Sequence, residues 1–370
     1  MKVDERLEAP SASTPAPGRP RAPRRPAGLG RIAGFVALCV ACVSVSVAYL
    51  VHAGGRDDLP GPESAQEAPG VVTEPDASAV STVRAQPHVV FRTLAAGEAG
   101  RLAAAPLADP GGPRATRDFD CLRIYVTAVN GLCLNDNGDL FTPYNIVFLG
   151  PDLAPRHTES LAGLISRARV SPDGRYGVAT VFVTGHSYAP GSFSTQTTLY
   201  DMDTGELLAD LEHFEVFKDG ERIESPDFNF WGVTFANETG RFYATLGTGG
   251  HTYLVRGDVE AERVEVLRDG IECPSLSPDN TKIAFKQRVD SGIGPIEWRP
   301  AVMDVATLED HPLAESRNID DQIEWLDNDT VLYSVDTGVG APDTWATPAD
   351  GTGEPRLFLT DADTPAVIRG

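Results

Sequence analysis

From about residue 86 onward the chain alternates short apolar, β-branched and aromatic runs with tight polar turns. Within several runs apolar positions alternate with small or polar ones, which is the period of a strand. Four times a turn separates two such runs: Ser171-Pro172-Asp173-Gly174, Asn237-Glu238-Thr239-Gly240, Ser277-Pro278-Asp279-Asn280 and Asp327-Asn328-Asp329-Thr330, at spacings of roughly 40 to 65 residues. Where Pro is present it presets φ, a Ser or Asp side chain bonds backbone amides, and Gly or Asn closes the turn in the left-handed region. The runs before the turns are 166–170, 231–235, 274–276 and 322–326, and those after them are 176–183, 242–246, 283–286 and 331–335. Third runs follow at 198–201, 252–255, 301–304 and 344–346, then weaker fourth ones such as 206–208 and 356–359. Four antiparallel strands per unit predict propeller blades.

Two less regular units precede these four. One is built from 88–92, 101–104 and 112–114, the other from 122–126, 132–134 and 144–149. The expectation is an all-β fold, a β-propeller of six four-stranded blades, with five to seven open. A last apolar run, Ala366-Val367-Ile368, has no partner in its own unit. It is placed to complete the first blade and close the ring, which removes exposed sheet edges.

The Ser-Pro-Asp-Gly turn between an inner strand and its neighbour, followed by a strand ending in Asp and a Thr-Gly turn, resembles the TolB-like, WD40-like (PD40-type) propeller repeat. The similarity runs over about residues 86 to 370. Proteins with this repeat include translocation-complex scaffolds, regulatory propellers attached to peptidases and extracytoplasmic proteins of undefined ligand, so the resemblance implies an architecture and leaves the ligand open.

Upstream, residues 32–51 form a 20-residue run without a charge, long enough to cross the hydrocarbon as a helix. Basic residues dominate the segment before it, so the predicted orientation is N-terminus in the cytoplasm and propeller outside the plasma membrane. Cleavage as a secretory signal near Val51-His52-Ala53 is the competing reading, against which stand the length of the apolar core and of the segment before it. Cys39 and Cys42 fall inside the span, where small residues pack a helix face. The expected domains are a disordered basic tail (1–31), a transmembrane helix (32–51), a flexible Pro/Gly/Glu-rich linker (52–86) and the propeller (87–370).

Charge divides along the same line. Residues 1–53 hold seven Lys or Arg against three acids, so the remainder carries −26 within a chain total of −22. So acidic a domain argues against nucleic acid as a partner. The abundance of Ala, Gly and Pro, and of Arg over Lys, is what high-GC codons encourage and suggests an actinobacterial type of source. Cys121 and Cys133 flank a predicted hairpin and form the natural disulfide pair in an oxidising compartment, with three free thiols as the alternative; Cys273 has no evident partner.

Chemical motifs are few. Gly185-His186-Ser187-Tyr188-Ala189 resembles a nucleophile elbow, but an elbow needs a helix after the serine and Pro190-Gly191 follows instead. The oxygen-rich stretches 135–139 and 327–329 offer a weak possibility of calcium but lack the Glu that completes a calcium loop, and scattered histidines give zinc no support. Candidate binding residues on loops and inner-strand starts are Arg167, Arg169, His186, Tyr188, Asp227, Asn229, Trp231, Asp320, Asp321 and Gln322, with a salt-bridged structural network as the competing role. Two functions follow: a membrane-anchored, non-catalytic binding or scaffold module for a protein, peptide or envelope component, or a propeller-axis enzyme, a calcium-dependent hydrolase or lyase on a small ester, lactone or sugar.

Overall fold

The computed structural model describes residues 77–139, 143–183, 194–289, 296–336, 338 and 340–369. The predicted tail, the span 32–51 and most of the linker lie outside the described residues, among which no helix is long and apolar enough to cross a membrane. Six sheets, antiparallel except for one outer pair in blade 4, follow one another along the chain. Each starts with a short inner strand: Arg123–Val126 in blade 2, Leu164–Val170 in blade 3, Asn229–Phe235 in blade 4, Glu272–Leu276 in blade 5 and Glu324–Trp325 in blade 6. Blade 1 takes its inner strand from the end of the chain. Ala362–Ile368 pairs with His88–Thr93, so the apolar run at 366–368 is the innermost strand of the first sheet and closes the ring.

Apolar burial explains the closure. Six hydrophobic clusters fill the six junctions between neighbouring blades. Tyr176, Leu199, Phe230 and Phe242, for example, join blades 3 and 4, while Phe91, Leu332, Phe358 and Val367 join blades 6 and 1. No blade buries both its faces without two neighbours.

The tight turns lie together on one face and are bonded to each other. In Ser171-Pro172-Asp173-Gly174 the Ser171 hydroxyl donates to Asp173 Oδ1 at 2.6 Å and accepts from the Tyr176 amide at 2.9 Å, with Gly174 at φ 73°. Ser277 and Asp279 repeat these contacts, with Asn280 in the left-handed position. Asn130 Nδ2 donates to Gly174 O, Thr239 Oγ1 to Asp173, Asn237 Nδ2 to Pro278 O, and the Asp279 amide to Asn328 Oδ1. These bonds link blades 2 to 6 in series.

Four details differ from the sequence expectation. The third strand of blade 1 is Ala115–Asp120, because 112–114, with Pro113 lacking a donor, stays in the loop. Blade 2 gains an outer strand, Pro155–Leu161, which is exposed along most of its length and so shows no apolar alternation. Blade 6 has a two-residue inner strand in place of 322–326, since Gln322 turns its side chain across the axis. Blade 4 has six strands: Glu215–Lys218 runs parallel to the outer strand Arg263–Asp269 and forms a hairpin with Glu221–Ile223. Its turn, Asp219-Gly220 with both φ positive, is a strong hairpin signal.

Candidate functional site

All inner strands start on the face opposite the tight turns, and their first residues ring the mouth of the central channel. Arg167 starts low on the blade 3 strand and reaches Asp321, which precedes the inner strand of blade 6. Blades 3 and 6 stand opposite each other in a ring of six, so this ion pair crosses the axis. Two residues further along the same strand, Arg169 crosses it again: Nη2 donates to Ile323 O at 3.2 Å and lies 3.6 Å from Glu324, while the guanidinium stacks 4.3 Å from the Tyr125 ring centroid. Gln322 adds a third tie, donating from Nε2 to Val233 O at 3.2 Å and Pro274 O at 3.1 Å, in blades 4 and 5. The channel is therefore bridged across its middle.

Burial pushes the Asp321 carboxyl up, but Arg167 and Arg123 outweigh it and hold the group below the usual carboxylate range. Burial dominates at Glu324, whose carboxyl is raised despite Arg169 and Arg369.

Bulges shape the mouth. Pairing registers slip at Ser166, between Trp231 and Thr234, between Glu272 and Ser275, and between Val90 and Arg92 opposite the last strand. Gly232, Cys273 and Thr364 take positive φ at three of them. Bulges re-aim side chains, and left-handed non-glycine residues mark places where the surroundings hold a strained backbone. Here they turn Trp231 into a cavity of about 480 Å³, walled also by Ile165, Phe182 and Trp298. Trp231 lies flat over Gly247, where a Cβ would come within 2.7 Å of its ring.

Charged groups stud the same cavity. Lys286, its side chain 7% exposed, bonds Asp320 at 2.5 Å and sits 4.7 Å from the Trp298 ring centroid. Arg123 reaches sideways, Nε to Ser166 O at 3.0 Å and Nη1 to Leu122 O at 3.1 Å; among the described residues it makes no ion pair, and Asp321 and Asp363 act on it from farther off. Burial, with Arg167 alongside, acts against its charge. Glu272 has its carboxyl pushed up by burial, offset in part by Lys286. A second cavity of about 750 Å³ shares Arg123, Arg167 and Asp320 and extends to Arg92 and Asp363, which pair within blade 1. At the turn face a smaller cavity of about 230 Å³ ends on Arg169, Glu324 and Arg369.

The structure thus brings Arg167, Trp231, Asp320 and Asp321 to the mouth, puts Gln322 on the axis, and places Arg169 toward the far end. Asp227 and Asn229 do not join them. Asp227 accepts from Ser225, from Thr248 and from the Gly249 amide at 2.8 Å, and Asn229 accepts from the Thr195 amide at 2.7 Å, so both fasten the entry to blade 4. His186 and Tyr188 lie outside the described residues. Sequence reasoning missed Arg123, Glu272, Lys286 and Trp298. The inner-strand rule, applied to blades 2 and 5, would have found the first two; the others sit on second and third strands, where nothing marks a residue as axial.

Cys121 and Cys133 are bonded, joining the entry of blade 2 to its second strand, and Cys273 is free and buried. Among the described residues no group of three His, Cys, Asp or Glu is placed to hold a metal ion. The oxygens considered for calcium accept backbone amides instead: Asp136 from Gly138, Asn137 from Asp139, Asp327 from Asp329.

No protein-family model and no curated protein matches the chain. Among solved structures it is similar to TolB from Acinetobacter baumannii, at 17% identity over 77% of this chain and 67% of that one, with a TM-score of 0.53. It is also similar to a Mycobacterium tuberculosis puromycin-hydrolyzing peptidase, at 15% identity over 71% of this chain and 42% of that one, with a TM-score of 0.45. At such identities the likeness is one of fold. The structure is a TolB-like β-propeller of six blades.

Proposed function

We propose that this chain is a membrane-anchored, extracytoplasmic propeller that acts as a non-catalytic binding module for a protein, peptide or envelope component, which it engages at the mouth. The observation that carries this reading is the closed channel. With Arg167 on Asp321 and Arg169 beside Glu324, the axis offers a blind, aromatic-walled recess instead of a passage. Such recesses, apolar with a few convergent polar groups, are the usual form of a binding site.

The anchor rests on the uncharged run 32–51 behind a basic segment.

The test is affinity capture by the full chain from envelope extracts, comparing wild type with Trp231→Ala and Trp298→Ala. A partner retained by wild type and lost with both variants is the expected result. Equal recovery by all three, or recovery of nothing, overturns the proposal. Protease accessibility of the propeller in intact cells checks the orientation.

A further inference from the structure

Most of the charges at the mouth answer one another: Arg167 meets Asp321, Lys286 meets Asp320, and Arg92 meets Asp363. Two do not. Among the described residues, Arg123 Nη2 has no hydrogen-bond partner and Glu272 has no ion pair or side-chain hydrogen bond, although both are half-buried and line the cavity of about 480 Å³. They belong to the inner strands of blades 2 and 5, which face each other across the ring. Asp321 and Asp363 act on Arg123, and Lys286 on Glu272, only from beyond ion-pair distance, so each keeps direct hydrogen-bonding capacity for a partner from outside.

We infer that the mouth binds a dipolar ligand of short-peptide size, its carboxylate on Arg123, its ammonium on Glu272 and an apolar side chain against Trp231 and Phe182. This deepens the binding function proposed above and rests on it. A guanidinium fork matches a carboxylate in plane, and Arg123 keeps one nitrogen for it beyond its two bonds to backbone carbonyls. Glu272 is an acceptor for an ammonium's donors. The cavity of about 480 Å³ lies within the range that holds small ligands. The aromatic walls give the body its burial without adding charge.

The probe is the dipeptide Ala-Phe, tested by calorimetric titration against the full chain in detergent beside its N-acetyl and C-amide forms. Saturable one-to-one binding of the free dipeptide is expected, weakened roughly tenfold or more by either cap. Arg123→Gln should erase the penalty of the C-amide and keep that of the N-acetyl cap, and Glu272→Gln should do the reverse. The capping series uses the unaltered protein, so a variant that fails to fold does not remove the test. Equal binding of free and capped forms, or no binding by a chain that still unfolds cooperatively, overturns the inference. If Ala-Phe fails while capture still depends on Trp231 and Trp298, the ligand class is wrong and the binding function stands. If both fail, both are wrong.

Discussion

Removing Asp321 tests the cross-axis architecture directly. The Arg167 and Asp321 side chains are each 18% exposed, and the guanidinium also donates from Nη1 to Ser166 O at 3.0 Å. Asp321→Asn keeps the shape and deletes the counter-charge, leaving a mostly desolvated cation. Breaking a buried pair from one side costs about 3–5 kcal/mol, and residual exposure brings the expectation to about 2–4 kcal/mol. Replacing both partners removes the stranded charge, so Arg167→Met with Asp321→Leu should cost less than either single change. Urea unfolding followed by tryptophan fluorescence reads this, since Trp231 and Trp325 sit on inner strands of blades 4 and 6. The pair also has a pH signature. Arg167 depresses the Asp321 carboxyl against the pull of burial, so its stabilisation is complete above the unfolded carboxylate value of about 3.9 and is lost as pH falls through the lower folded value. Asp321→Asn should flatten that acid limb. A single substitution costing under about 0.5 kcal/mol, or a double variant costing the sum of the singles, would refute the cross-axis tie.

Three further changes probe other parts of the ring. Glu212 accepts from the Thr197 and Phe230 amides at 2.9 and 3.2 Å and from Thr195 Oγ1, and burial raises its carboxyl to about 7. Its stabilising contribution is therefore full below the ordinary carboxylate range and lost as pH rises through about 7, so the melting temperature should decline over that window and Glu212→Gln should remove the slope. Gly232→Ala, at φ 63° with a Cβ 2.5 Å from Cys273 Cα, should cost about 2–4 kcal/mol in denaturant midpoints. Reducing the Cys121–Cys133 bridge, whose cysteines are 12 residues apart, should cost about 3 kcal/mol; an unchanged melting temperature in reductant would contradict it.

Local signals made the ring legible, and remote pairing hid the rest. Ser171 to Gly174 carries its own turn chemistry, so the blade pattern could be read without knowing any partner. Closure by the last strand was legible because Ala366-Val367-Ile368 had nothing local to pair with. The hairpin at Asp219-Gly220 announces itself, but its parallel docking on Arg263–Asp269 depends on a strand that comes 40 residues later. At the site, Arg167 and Asp321 were both singled out, and their meeting was not legible, since it depends on which blades stand opposite. Lys286 and Trp298 acquire meaning only in the folded ring, where residues of the second and third strands of blade 5 meet at the wall of the cavity.

The ties across the axis change what this propeller can do. An open channel can be threaded, whereas a channel crossed by Arg167, Arg169 and Gln322 can be approached from two sides that do not communicate. On the turn face, Arg369 donates to Leu326 O and fastens the closing strand to blade 6, so that side is occupied with holding the ring shut. On the other face, bulges at successive inner strands open a recess and leave Arg123 and Glu272 without ion pairs beside aromatic walls. Structural duty and unused recognition chemistry are thus separated by the same three side chains. Cutting the ties should loosen both faces together, whereas changing Arg123 or Glu272 should alter the mouth and leave the ring intact.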